Sequence, residues 1–150
     1  MKFTGDAYHD AALEHLDTAR ELLNLQRYAL ANYAAGVAVE CIFRAYSYRY
    51  DKNFDCRHDL RVWYDAARFD NIVPEPKRTD VAVALSVITT HWSNSQRYCS
   101  VKSLRAYFKF AQLDRGLRGD FVKELCRRTV DAAFEIVTLG DRQWNKPFKK

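Results

Sequence analysis

The stretch from Leu30 to Tyr50, LANYAAGVAVECIFRAYSYRY, decides the fold class. Ala31, Ala34, Ala35, Val37, Ala38, Val39, Cys41, Ile42 and Ala45 fall on nearly every side of a helical wheel. A helix that is apolar all round is covered on several sides, so this segment is the centre of a helical bundle. Its alanines and Gly36 keep it thin enough for neighbouring helices to approach closely. Asn32, Glu40 and Arg44 interrupt the run. A membrane span needs about 20 consecutive apolar residues, and no stretch of the chain supplies them.

The segments on either side repeat the helical period. Tyr8, Ala12, Leu16, Ala19 and Leu23 draw one apolar stripe on a helix expected from Asp6 to Arg27. Thr4 or Asp6 caps its start, and Asp6, Asp10 and Glu14 suit the positive end of its dipole. A short helix is expected from Asp59 to Phe69, with Leu60, Trp63, Tyr64 and Ala67 on one side. A loop over Asp70 to Pro76 follows. Val81, Leu85, Ile88 and Trp92 mark a fourth helix from Arg78 to Trp92. Ser93 to Ser100 reads as an irregular break. Ser103 to Leu113 reads as a second short helix, and Asp120 to Gly140 as the last long one. Lys146 to Lys150 reads as a frayed basic tail. The expected fold is all-α: an up-down bundle of four main helices with one or two short ones, in a single domain over residues 1–150.

With 48% hydrophobic and 29% charged residues, the chain has the composition of an ordinary globular domain. Five Gly and three Pro are too few for a β-sandwich or barrel with many tight turns. No apolar leader follows Met1, and the four cysteines at 41, 56, 99 and 126 are widely spaced. That pattern matches a reducing cytoplasm and contains no metal or redox motif. The four histidines at 9, 15, 58 and 91 are likewise too scattered for a metal site, and no cofactor motif is present.

The net charge of +5 is unevenly spread. Nine basic residues between Asn94 and Arg128 face only Asp114, Asp120 and Glu124, so this segment carries +6. Such a stretch favours an anionic partner such as RNA or a nucleotide. Arg97, Tyr98, Lys102, Arg105 and Lys109 are the expected contacts, with Tyr98, Tyr107 and Phe108 available for base stacking. The alternative is a solvated basic surface over a core that keeps those aromatics.

Three constellations are expected to carry chemistry. Glu40 and Arg44 lie four apart on the most apolar helix and share a face. They form either an internal ion pair or part of a polar pocket inside the bundle. His58 stands with Asp59 at the entrance of the short third helix and joins that pocket. His91 and Arg97 bracket a polar, aromatic run, HWSNSQRY, at the end of the fourth helix.

These residues resemble the higher-eukaryote-and-prokaryote nucleotide-binding (HEPN) family. The resemblance runs through YAAGVAVECIFRAY at 33–46, through His58-Asp59-Leu60, and through Trp92 with Arg97-Tyr98. It spans the chain from about Ala7 to Val137. It implies a helical bundle that commonly dimerises. Many members are metal-independent ribonucleases of toxin–antitoxin, CRISPR-associated or anti-phage systems. Others are non-catalytic partners of nucleotidyltransferases, or bind nucleotide or RNA. Active members carry an Arg and then a His with four to six residues between them on a late helix, a pair suited to metal-free proton transfer and charge stabilisation. This chain has no such pair, and its nearest echo, His91 followed by Arg97, is reversed.

The leading expectation is therefore a HEPN-fold binding or accessory protein of a toxin–antitoxin or anti-phage system. It would act as a homodimer on RNA, nucleotide or a protein partner such as a nucleotidyltransferase. An active metal-independent endoribonuclease with a diverged site around His91 and Arg97 is the first alternative. A helical interaction module with no small ligand is the second.

Overall fold

Six α-helices carry the chain in the computed structural model, which describes residues 2–148 and is 72% helical. No strand occurs among the described residues. The all-α bundle expected from the periodicity is the observed architecture.

Helix α1 spans Gly5–Asn24, and the Thr4 hydroxyl caps it by accepting from the amide of Ala7. Helix α2, Tyr28–Ser47, turns back after three residues and packs along α1. Helix α3 is one short element, Leu60–Ala66, capped by the Asp59 carboxylate on the amides of Arg61 and Val62. Helix α4 covers Arg78–His91, α5 covers Val101–Phe110 and α6 covers Phe121–Trp144. Ser100 and Asp120 cap α5 and α6 through the amides of Ser103 and Lys123. The segment expected as a loop before α4 holds two 3-10 turns, Phe69–Asn71 and Glu75–Lys77. The break before α5 is a third, Asn94–Tyr98.

As its all-round apolarity predicts, α2 is central, with α1, α3, α6 and the Asn94–Tyr98 turn packed on it. Ala31, Ala35, Ala38, Val39, Ile42, Phe43 and Ala45 are fully buried. Gly36 is required by a close approach. A Cβ there would stand 2.2 Å from the Trp92 indole, which lies flat on the α2 backbone. The indole Nε1 donates to the Tyr33 carbonyl at 3.1 Å and so holds the end of α4 against α2.

Helix α6 passes its expected end at Gly140 and continues to Trp144. Glycine often ends a helix, but here it serves close packing: its Cβ would stand 2.6 Å from Cγ1 of Ile42. The Tyr46 hydroxyl donates to the Gly140 carbonyl at 2.6 Å. Trp144 then stacks on His9 at 5.0 Å, and His9 Nε2 pairs with Asp141 at 2.8 Å. These contacts reward another turn of helix. In the segment expected to fray, Phe148 packs edge-on against Tyr50 at 5.2 Å. Lys149 and Lys150 of that segment lie outside the described residues.

A smaller core sits under α5, where Leu104 and Phe108 meet Val122, Leu125, Cys126 and Ala29. Phe108 is fully buried. It is therefore a core residue and not the stacking platform expected from the sequence. No helix of the described residues is long and apolar enough to cross a membrane, and all four cysteines are free.

Candidate functional site

Glu40, Arg44 and His58 form one cluster. Glu40 and Arg44 project from successive turns of α2, and His58 reaches them from the loop before α3. Arg44 Nε donates to Glu40 Oε1 at 2.8 Å, and its Nη2 donates to the Arg57 carbonyl at 2.7 Å. His58 Nδ1 lies 2.9 Å from Glu40 Oε2 and 3.1 Å from Oε1. The Arg44 guanidinium covers the Trp63 ring at 4.2 Å, while Trp63 Nε1 donates to the same Arg57 carbonyl at 2.8 Å. The internal ion pair is present, and His58 is hydrogen-bonded to its acidic member.

Burial grades the cluster. The side chain of Glu40 is 10% exposed, that of Arg44 17% and that of His58 43%. Burial works against the Arg44 charge, but attraction to Glu40 and the hydrogen bond between them hold its pKa above the ordinary value. Arg44 therefore keeps its charge, and His58 is the outer member of the cluster. A carboxylate that fixes one nitrogen of a histidine leaves the other available for hydrogen bonding or proton transfer.

His91 and Arg97 are not brought together. His91 is 6% exposed, and its Nδ1 hydrogen-bonds Thr129 on α6 at 3.0 Å. The Thr129 hydroxyl donates to the Leu125 carbonyl at 3.0 Å. Its oxygen is thus the acceptor and His91 Nδ1 the donor. The His91 carbonyl accepts from Asn32 Nδ2 at 3.1 Å and from Gln96 Nε2 at 2.8 Å. Arg97, by contrast, is exposed and stacks over Tyr98 at 4.7 Å. The structure places His91 in the α4–α6 interface, where it ties helices together. Asn32, which interrupts the apolar run of α2, and Gln96 are buried polar residues that anchor the Asn94–Tyr98 turn through a 2.8 Å bond between them, a role that no spacing in the sequence signals.

Burial pushes the His91 pKa below its ordinary 6.5, with Arg128 adding to the fall and the Leu125 carbonyl opposing it. The folded state therefore disfavours the proton that the unfolded chain accepts. The stability this residue contributes is present above pH 6.5 and is lost as pH falls below that value through the folded pKa. Urea midpoints should drop between about pH 7.5 and about pH 5, and less so in His91→Gln. Parallel profiles for the two proteins would show that His91 is not a source of the acid sensitivity.

Two of the nine cations of the basic segment are paired, and Arg115, Arg118 and Lys123 are exposed without an ion pair among the described residues. Arg127 and Arg128 are bound to Glu124 at 2.6 and 3.0 Å, and Arg127 also reaches Asp131 at 2.6 Å. Hydrogen bonds from Arg127 and then Arg128 hold Glu124 down at about 2, despite slight desolvation. These charges are spent on one another. Arg97, Lys102, Arg105 and Lys109 are exposed and form no ion pair among the described residues. Arg105 and Lys109 flank the Phe121 ring at 5.3 and 5.8 Å. Tyr98 is 79% exposed and Phe110 90%, so Phe110 takes the place that the sequence reading assigned to Phe108. No group of metal-ligating side chains occurs among the described residues. Compared with family models, with curated proteins and with solved structures, the chain matches none of them.

Proposed function

We propose that this chain is a HEPN-type binding protein that engages single-stranded RNA across α5 and the Asn94–Tyr98 turn. One observation carries the reading: four exposed cations with no ion pair among the described residues, and two open aromatic rings, fall on α5 and the turn just before it. Lys102, Arg105 and Lys109 recur at helical spacing, so a row of positive charge runs along α5. Leu104 and Phe108 face the core and hold that row outward. Cations neutralise the phosphates of a single strand, and Tyr98 and Phe110 offer faces for bases.

Binding is favoured over cleavage at His91 and Arg97, because His91 is enclosed and hydrogen-bonded to Thr129. The accessory role in a toxin–antitoxin or anti-phage system, the homodimer and a nucleotidyltransferase partner belong to the same proposal. They are supported by the resemblance of the α2 and His58-Asp59-Leu60 segments to the family.

Fluorescence anisotropy with a labelled single strand tests the reading. Affinity should fall linearly on a log–log plot against salt. Replacing Lys102, Arg105 and Lys109 together by Ala should flatten the slope by about 2, from about 0.7 per lost phosphate contact. Tyr98→Ala and Phe110→Ala should each weaken binding by about 1–3 kcal/mol. Salt-insensitive binding, or no binding, overturns the proposal.

A further inference from the structure

We propose that the cleft between α3 and the end of α4 is a subsite for a phosphate monoester, gripped by His58 and Arg61. The cleft encloses about 370 Å³ and is bordered by His58, Arg61, Thr89, Trp92, Ser93 and Asn94. Two of these groups are oriented by the protein and keep free hydrogen-bonding capacity. His58 is fixed through Nδ1 on Glu40, and Nε2 has no partner among the described residues. Arg61 is tied to α4 by a single bond, Nη2 to the Thr89 hydroxyl at 3.2 Å. Its remaining donors are unused, and it forms no ion pair among the described residues.

Glu40 takes only the Nδ1 side of His58, and no carboxylate pairs with Arg61 among the described residues. Asp59 also borders the cleft, but its Oδ1 accepts from the amides of Arg61 and Val62. Glu40 lies behind His58 and is engaged by Arg44. A guanidinium fork and an imidazole, with the Ser93 hydroxyl and the Asn94 amide beside them, match a tetrahedral oxyanion that needs several donors from different directions. A proton shared between Nε2 and a phosphate oxygen satisfies both partners, whichever one carries it.

The inference rests on the RNA reading for what lies beyond the phosphate. Asn94 belongs to the cleft and also begins the turn that presents Arg97 and Tyr98. A strand lying on α5 and crossing that turn would bring its phosphorylated end to His58. A mononucleotide or free phosphate offers the same chemistry without the strand.

The test compares one oligonucleotide with a 5′-phosphate, a 3′-phosphate or hydroxyl ends, alongside inorganic phosphate followed by 31P NMR. One of the phosphorylated strands should bind about tenfold tighter than the hydroxyl form, as a charge-assisted contact warrants. That increment should vanish in His58→Ala and in Arg61→Ala, each with the urea midpoint of a folded protein. Both variants should bind the hydroxyl form as the wild type does. Inorganic phosphate should broaden or shift in the presence of wild type and not with either variant. If RNA fails to bind but phosphate still shows this pattern, the RNA reading falls and the subsite stands, with a mononucleotide as its source. Equal binding of all three strands with no phosphate signal, or an increment that survives both substitutions, overturns the subsite and leaves the α5 reading intact.

Discussion

Gly36→Val should destabilise the protein by about 4 kcal/mol, the scale of losing a buried tryptophan. The side chain would enter space held by the Trp92 indole, whose atoms stand 2.2 Å from the Cβ position. The α2 backbone cannot retreat, because α1 and α6 pack on its other sides. Trp92 must therefore leave, giving up its burial, its stacking on Tyr33 at 6.4 Å and its bond to the Tyr33 carbonyl. Overpacking alone costs about 1–3 kcal/mol, and a displaced indole adds to it. Chemical denaturation measures the loss. The double variant Gly36→Val, Trp92→Ala should be no less stable than Gly36→Val alone, since the indole is already displaced. Additive losses would mean that the two residues do not contend for the same space.

Glu40→Ala should cost about 3 kcal/mol, because it strands a partly buried guanidinium. Arg44 would keep the Arg57 carbonyl at 2.7 Å, the face of Trp63 and the exposed Asp55 carboxylate at 3.9 Å. His58 would lose its anchor as well. Replacing both members, Glu40→Leu with Arg44→Met, should recover most of the stability, since an apolar pair of similar volume has no charge to desolvate. The same double variant should lose the phosphate increment, because His58 is no longer held. A Glu40→Ala loss below about 1 kcal/mol, the level of an exposed pair, would show that water already screens the cluster.

The all-α class, the central place of α2 and a cap at Thr4 or Asp6, of which the structure uses Thr4, were legible from periodicity and residue type. These are local properties: a helix buries the stripe its own sequence draws, and a cap serves amides two or three residues away. The Glu40–Arg44 pair was legible for the same reason, being one turn apart on one helix. His58 was legible only as a residue at the entrance of the third helix, and its contact with Glu40 closes over a loop that periodicity does not describe.

What only the tertiary structure decided lies between elements distant in sequence. His91 and Phe108 look like surface chemistry along the chain, yet α6 covers both. Phe110, two residues from Phe108, stays open because two residues along a helix turn a side chain by about 200°. Gly140 has the sequence signature of a helix end, but Ile42, far away on α2, turns it into a point of contact inside α6. The nine cations of the basic segment are equivalent in a charge count. Glu124 silences two of them; seven form no ion pair among the described residues, and four of those lie on α5 and the turn before it. Composition sums charge, whereas the Coulomb attraction that neutralises it depends on separations that only the folded chain sets.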